Sequence, residues 1–374
     1  MTETWFSPRQ IFDGQQIHVD WSLQTRQGTV VHMCPRQDVP DTASVQDMDG
    51  TISMGFIDLQ VNGGGGVLFN ADPSQTAIHQ IVAAHRAFGT VGILPTVISD
   101  TPEILAQAVD AALAAKQAQG VLGLHIEGPH ISLARRGTHD AEHLRPLDKT
   151  TLSHIRRLRD ASVPVMITLA PEVVSPAEIT ALVDLGAIVS IGHSNATAEQ
   201  TRAGLDAGAT AGTHLFNAMS PIVNRAPGVV GALINSQAYC GLIVDGFHVA
   251  EEVLSLAIRA RPTADRMFLV SDAMPTIGGP NDFDLYGRQV RLEGGRLINC
   301  EGSLAGAHLT QGEGLARLIN TLHIPPAQAL KMATTIPAEL MGLTSLNTLI
   351  GRSVSDLICL DETYTFTGFL DDAA

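Results

Sequence analysis

Apolar runs alternate with amphipathic segments through the middle of this chain. Eight runs have the length and apolar character of buried strands, at about residues 52–59, 92–97, 122–127, 165–170, 188–193, 211–216, 240–245 and 268–272. The segments between them repeat Ala and Leu at helical spacing, and several begin with the Ser, Thr or Pro that is common at helix N-termini. Eight successive strand–helix units predict an α/β protein built on a (β/α)8 TIM barrel.

An open, doubly wound sheet would also alternate strands with helices. That architecture usually carries a GxGxxG turn that leads from a strand directly into a helix. In this chain Gly63–Gly66 is a run of four glycines followed by Val67, without that spacing. The barrel is therefore the favoured architecture.

Both ends of the chain have short strand-like runs and lack the strand–helix alternation of the middle. We expect residues 1–50 and 350–374 to meet in one small β-sandwich domain, formed from both chain termini, beside a barrel domain of residues 51–349. The 374 residues are 45% hydrophobic, which is ample for a core of this size.

Charge and cysteine usage disfavour several classes of function. The chain has 23 Lys and Arg against 38 Asp and Glu, a net charge of −15, and no basic run suited to nucleic acid or an anionic membrane. The four cysteines lack the spacing of a thiolate metal site or a disulfide framework. Because neither a signal-peptide pattern nor a run of 18 apolar residues is present, we expect a cytoplasmic protein.

Candidate metal-binding and catalytic residues lie at the ends of the predicted strands, where a (β/α)8 barrel has its active site. Glu127 ends the third strand, and His193 and His214 end the fifth and the sixth. One carboxylate and two imidazoles form a ligand set for Zn²⁺ that leaves a coordination position open. Each histidine alone could as readily be a core or loop residue, so the prediction depends on the three residues meeting.

Asp272 ends the eighth predicted strand, in the segment LVSDAM. A carboxylate there could take a proton from a metal-activated water and deliver it to a leaving amine. The alternative is that Asp272 only caps the turn that follows the strand.

Eight motifs together carry a resemblance to a known family. In chain order they are GFIDLQVNG, LHIEGPHI, IGHSNAT, THLFNAMSPIVNRAPG, VDGFHV, VSDAMPTIGG, PAELMGL and SDLICLD. Their order and spacing resemble the N-acetylglucosamine-6-phosphate deacetylases of the amidohydrolase superfamily. The resemblance implies that Glu127, His193 and His214 bind one divalent metal ion per subunit and that Asp272 is the catalytic acid and base. Zn²⁺ is the favoured ion, although such a site also accepts Fe²⁺, Co²⁺ or Mn²⁺.

The resemblance also implies substrate-binding residues. Asn217, Ala218 and Arg225 match positions that hold a sugar phosphate, and a planar guanidinium such as that of Arg225 suits phosphate oxygens. His139 matches another histidine that contacts the substrate. His248 matches a histidine that the family commonly supplies from a neighbouring subunit, so the resemblance implies a homodimer in which His248 reaches the neighbouring site.

Gln60 and Asn62 stand where many amidohydrolases carry the HxH pair of a second metal. Neutral amides are poor ligands for Zn²⁺ beside imidazole. The resemblance is therefore to the single-metal branch, in which Gln60 could hydrogen-bond a water in place of the second ion. His125 is expected either to support the site or to pack in the barrel, and we assign no role to His130.

The resemblance implies metal-dependent hydrolysis of N-acetylglucosamine 6-phosphate to glucosamine 6-phosphate and acetate. Deacetylation of an isomer such as N-acetylgalactosamine 6-phosphate is an alternative, because one or two loop residues could read the epimeric hydroxyl. A non-catalytic sugar-phosphate sensor is a second alternative, which the intact metal set and Asp272 disfavour. A two-metal amidohydrolase acting on cyclic amides or amino acids is a third, which Gln60 disfavours.

Overall fold

A parallel eight-stranded sheet forms the centre of the computed structural model, which describes residues 3–300 and 302–373. Its strands neighbour one another in chain order: β1 (Phe56–Val61), β2 (Thr90–Ile98), β3 (Leu124–Glu127), β4 (Val165–Leu169), β5 (Ile188–Ile191), β6 (Ala211–Gly212), β7 (Tyr239–Leu242) and β8 (Met267–Leu269). A parallel bridge between Val61 and Ala273 joins β1 to the segment after β8 and closes the sheet. The predicted α/β TIM barrel is confirmed.

The helices follow the strands as the periodicity predicts. They are α1 (Gln75–Arg86), α2 (Pro102–Ala115), α3 (Lys149–Asp160), α4 (Pro176–Asp184), α5 (Ala198–Asp206), α6 (Gly228–Ile234), α7 (Glu251–Arg259), α8 (Gln311–Asn320), α9 (Pro326–Ala333) and α10 (Thr335–Leu340). Side-chain caps start several of them; at α4, for example, Ser175 and Glu178 satisfy each other's backbone N–H groups in a capping box. Within the described residues, no helix combines the length and the apolar character needed to cross a membrane.

The two chain ends form two further sheets. One contains, in sheet order, the strands Thr29–Pro35, Trp21–Arg26, Glu3–Ser7 and Val45–Asp47; the other contains Phe366–Phe369, Leu357–Leu360, Thr51–Met54, Gln10–Phe12 and Ile17–Val19. Because the second sheet pairs strands from both termini, the small β domain that the fold-class prediction included is confirmed.

The first predicted strand, at about 52–59, is two strands in the structure. Thr51–Met54 pairs within the terminal β domain, and β1 begins at Phe56 in the barrel. Gly55 separates them, at a point where a Cβ would lie 2.2 Å from Val91 Cγ1. The close packing against Val91 requires glycine at this position.

A three-stranded antiparallel sheet follows the barrel, formed by Asp282–Leu285, Arg288–Glu293 and Arg296–Asn299. We call it the hairpin sheet. Its apolar face, including Leu285 and Leu297, shares one buried cluster with Ile98 and Met274. Ile98 ends β2 and Met274 follows β8, so the hairpin sheet packs at the C-terminal end of the barrel.

Asp58 is a carboxyl group buried inside the barrel, on β1. It is 0% exposed and accepts backbone N–H groups from Gln60 and Ser271, each at 3.2 Å. Burial raises the pKa of Asp58 from 3.8 to about 7, and the hydrogen bonds oppose that effect only in part. Folding therefore favours the protonated carboxyl more than the unfolded chain does.

We expect Asp58 to make the protein less stable as the pH rises through neutrality. Because folding raises its pKa, its stabilising contribution is full below pH 3.8 and is lost as the pH rises through about 7. The isosteric variant Asp58→Asn should therefore lose less thermal stability than the unmodified protein between about pH 5 and about pH 8, measured by calorimetry. Asp72→Asn, at an exposed position, should follow the unmodified protein. Equal changes in Tm for all three proteins would contradict the prediction.

Candidate active site

Glu127, His193 and His214 meet at the C-terminal end of the barrel. Glu127 is the last residue of β3, and the histidines lie just after β5 and β6. Oε1 of Glu127 lies 3.1 Å from Nε2 of His193 and 3.0 Å from Nε2 of His214, and the two Nε2 atoms are 3.1 Å apart. All three residues are buried. The structure thus brings the three predicted ligands to one point.

The protonation of these groups suits a divalent cation. Nδ1 of His193 donates to the carbonyl oxygen of Arg135 at 2.9 Å, and because a carbonyl can only accept, Nε2 is left with its lone pair. Burial opposes ionisation of Glu127, but the adjacent imidazoles of His193 and His214 hold its pKa well below 4.5. Zn²⁺ and similar ions bind a carboxylate together with imidazole nitrogens, and these are the atoms that meet here.

His139 offers a second possible grouping, since ligand atoms of Glu127, His139 and His193 lie within 4.8 Å of one another. Nδ1 of His139, however, lies 3.3 Å from the backbone N–H of Ser99 and 2.7 Å from its hydroxyl. Because that N–H can only donate, the ring proton must be on Nε2, which makes Nε2 a donor. We therefore favour His214 as the third metal ligand and His139 as a group that donates to a substrate.

Asp272 lies beside this cluster and is held by two amides. Its Oδ1 accepts hydrogen bonds from Nδ2 of Asn62 at 2.7 Å and from Nε2 of Gln60 at 3.2 Å. Nε2 of Gln60 also lies 3.0 and 3.1 Å from the two carboxylate oxygens of Glu127. Gln60 therefore links the two carboxylates directly, and its predicted binding of a water stays a prediction.

The environment of Asp272 favours a carboxyl group that can exchange a proton near neutral pH. Burial, followed by the negative charge of Glu127, raises the pKa of Asp272 to about 6. A cation held by Glu127 would oppose the second of these effects. General acid–base catalysis is most efficient when the pKa of the group lies near the working pH.

These residues line a cavity of about 190 Å³. The lining consists of Asn62, Ile98, Glu127, Gly137, Thr138, His139, His193, His214, Asn217, Ala218, His248, Asp272, Met274, Leu304 and Gly306. His248 therefore lines the cavity of its own chain, and its position there does not require a second subunit. Arg225 is exposed on the loop 221–227 and is not among the described residues that line the cavity.

A second cavity, of about 240 Å³, lies between residues 136–142 and the hairpin sheet. It shares Thr138 with the first cavity. Of the predicted site residues, none is among the described residues that line it. The chemistry therefore belongs to the smaller cavity.

The predicted sixth strand, at 211–216, ends at Gly212 because the chain turns sharply there. The backbone is left-handed at several predicted site residues, with φ of 47° at His193, 30° at His214, 50° at Ala218 and 51° at Asp272. Such conformations cost about 1–3 kcal/mol each in non-glycine residues and cluster at active sites. The left-handed conformations direct these side chains and backbone groups toward the cavity at the C-terminal end of the barrel.

His125 packs inside the barrel. Its Nε2 lies 2.8 Å from the hydroxyl of Thr168, and its Nδ1 lies 3.4 Å from that of Thr96. Neither His125 nor His130 is among the described residues that line the cavity. Of the two roles considered for His125, the packed one agrees with these contacts.

Several residues around the cavity could not be assigned a role from the sequence alone. Asp245 lies 2.6 Å from Nδ1 of His248 and orients that ring; the DxxH spacing is a signal that could have indicated it. Ser99 contacts His139 across many residues of sequence, and Leu304 and Gly306 come from a loop after the hairpin sheet. No local pattern marks those three.

Comparison with known proteins agrees with this site. The profile of the amidohydrolase family matches residues 51–349. The N-acetylgalactosamine-6-phosphate deacetylase of Shewanella sp. (strain ANA-3) is 41% identical over 84% of this chain and 80% of its own length. The N-acetylglucosamine-6-phosphate deacetylase of Haemophilus influenzae is 33% identical over 83% of this chain and 82% of its own length. The crystal structure of N-acetylglucosamine-6-phosphate deacetylase from Pasteurella multocida, 32% identical, superposes with a TM-score of 0.90 over 98% of each chain. This chain is a member of the amidohydrolase family.

Proposed function

We propose that this chain hydrolyses the acetamide of N-acetylglucosamine 6-phosphate to give glucosamine 6-phosphate and acetate. The observation that carries the proposal is the meeting of Glu127, His193 and His214 beside Asp272, in a cavity at the C-terminal end of a (β/α)8 barrel. The relatives that act on N-acetylated amino sugar phosphates support the choice of substrate.

The proposed roles follow from the contacts of each residue. A divalent ion held by Glu127, His193 and His214, for which we propose Zn²⁺, would lower the pKa of a water and act as a Lewis acid toward the amide carbonyl. Asp272, oriented by its amide partners, would take a proton from the attacking water and deliver it to the leaving nitrogen. His139 would donate its Nε2–H to the carbonyl oxygen.

The remaining cavity residues would bind the sugar phosphate. Asn217 and Ala218 line the cavity next to His214, and we propose that they contact the phosphate together with Arg225. His248 would contact the sugar from within the same chain. The homodimer stays a proposal; it rests on the family resemblance and is tested by the oligomeric state in solution.

N-acetylgalactosamine 6-phosphate is a second candidate substrate, because the Shewanella relative that acts on it is 41% identical to this chain. Acetate release from the two epimers, measured in parallel on metal-analysed protein, decides between them. Unphosphorylated N-acetylglucosamine is the control for the phosphate contacts and should react at least about 10-fold less efficiently in kcat/KM. No acetate from any of the three would contradict the proposed function and favour a non-catalytic sensor.

Replacing Asn217 should weaken substrate binding and leave the metal in place. Asn217→Ala removes an amide proposed to contact a charged phosphate, a contact worth about 1.5–3 kcal/mol, so KM should rise about 10- to 140-fold. Metal content should stay that of the unmodified protein, because Asn217 is not in the ligand set. Asn320→Ala is the matched control, because Asn320 is exposed and does not line the cavity. A loss of metal in Asn217→Ala would contradict the assigned role.

A further inference from the structure

We propose that Ser99 is a positioning residue that fixes His139 in the tautomer with its proton on Nε2. The inference rests on the proposed function, in which His139 donates to the carbonyl oxygen of the substrate, and it adds a residue to that reaction. Ser99 directly follows β2 and is 1% exposed. Among the hydrogen bonds of the described residues, the hydroxyl of Ser99 bonds only to His139, so its direct effect on the reaction is exerted on that ring.

Two donors of Ser99 converge on the same ring nitrogen. Its hydroxyl lies 2.7 Å from Nδ1 of His139, and its backbone N–H lies 3.3 Å from that atom. Because the backbone N–H can only donate, Nδ1 must present a lone pair, and the hydroxyl must donate as well. In the neutral imidazole the proton is then on Nε2, the nitrogen left for the cavity that His139 lines.

Ser99 is itself held by neighbouring elements. The hydroxyl of Tyr286, in a turn of the hairpin sheet, donates to the carbonyl oxygen of Ser99. On the other side, Gly128 leaves room for the serine hydroxyl, because a Cβ on Gly128 would lie 2.3 Å from Oγ of Ser99. Gly128 directly follows the ligand Glu127. The backbone of Ser99 is therefore held by the hairpin sheet, and its hydroxyl lies against the end of β3 that carries Glu127.

The tautomer determines what His139 can do to the substrate. With the proton on Nε2, the ring donates to a carbonyl oxygen that gains negative charge as water attacks, which stabilises the transition state more than the bound substrate. With the proton on Nδ1, the ring would present a lone pair to the same oxygen. Loss of the Ser99 hydroxyl should therefore lower kcat and have little effect on KM.

The first test is kinetic. Ser99→Ala keeps only the weaker backbone contact, and kcat on N-acetylglucosamine 6-phosphate should fall about 10- to 100-fold, the usual cost of removing a group that orients an active-site residue. KM should change less than about 3-fold and metal content should not change. Ser99→Thr, which restores a hydroxyl, should recover most of kcat. Ser53→Ala, a buried serine in the terminal β domain that also donates one hydrogen bond, is the control for a merely structural loss.

The second test observes the tautomer of His139 by NMR. Nitrogen-15 NMR of ring-labelled histidine, with His139→Gln to assign the signals, should show a pyridine-type Nδ1 and a pyrrole-type Nε2 for His139. In Ser99→Ala the 2.7 Å hydroxyl contact is lost and only the long backbone contact of 3.3 Å still favours this tautomer, so both signals should move toward each other as the second tautomer is populated. A pyrrole-type Nδ1 in the unmodified protein, or an unchanged kcat in Ser99→Ala, overturns the proposal. If the unmodified protein releases no acetate, the proposed function fails, while the NMR signals still decide the tautomer.

Discussion

Replacing Asp272 with asparagine should lower kcat about 10²- to 10⁴-fold, the range that general acid–base catalysis contributes. Asparagine has the shape of aspartate, and its amide oxygen can still accept the hydrogen bonds from Asn62 and Gln60. It cannot take a proton from water or deliver one to the leaving nitrogen. The substitution therefore removes the proton transfer and keeps the geometry.

The kinetic signature separates this role from a structural one. Metal content should be unchanged, and binding of N-acetylglucosamine 6-phosphate, measured by calorimetry on the slow variant, should remain close to that of the unmodified protein. Asp72→Asn, at an exposed position, controls for loss of one negative charge. Near-normal turnover of Asp272→Asn with the metal bound would show that another group transfers the proton.

Replacing His214 should abolish metal binding. Nε2 of His214 lies 3.0 Å from Oε1 of Glu127 and 3.1 Å from Nε2 of His193, so His214→Ala removes one of three converging atoms that we propose as metal ligands. Affinity for the ion should fall by more than the roughly 10- to 100-fold that loss of a residue supporting a ligand costs. Metal analysis after dialysis should find about one ion per chain in the unmodified protein and almost none in the variant.

His125→Ala is the matched control, because it removes another buried histidine from the same barrel. His125 bonds to threonine hydroxyls and does not contact the three ligand atoms. We expect this variant to lower Tm and to keep its metal. Retention of a tightly bound ion by His214→Ala would remove His214 from the ligand set, whereas two ions per unmodified chain would favour a two-metal amidohydrolase.

The barrel and its metal-binding candidates could be predicted because each depends on a local pattern. Strand–helix alternation predicts which residues end strands, and parallel strands in a barrel end at the same face. Glu127, His193 and His214 were therefore expected at the same face of the barrel, although the fold alone did not require their side chains to meet. The strand boundaries were less accurate at β6, because the left-handed backbone at His214 is set by the site and leaves no mark in the apolar pattern.

Contacts between distant segments could not be predicted in the same way. Ser99 meets His139 only because the loop after β3 folds back over the end of β2. Leu304 and Gly306 reach the cavity after the chain has left the barrel and formed the hairpin sheet. The burial of Asp58, which lies on β1, likewise depends on closure of the sheet, because closure brings the segment after β8 against it.

The hairpin sheet connects the lining of the cavity to residues that lie outside the barrel. Ile98 and Met274 line the cavity and also belong to the apolar cluster of the hairpin sheet. Because protein interiors are close-packed, a change of volume at Leu285 or Leu297 is transmitted to Ile98 and Met274. We therefore expect substitutions at Leu285 or Leu297 to change the shape of the cavity from outside the barrel, while the proposed metal-binding residues stay unaltered.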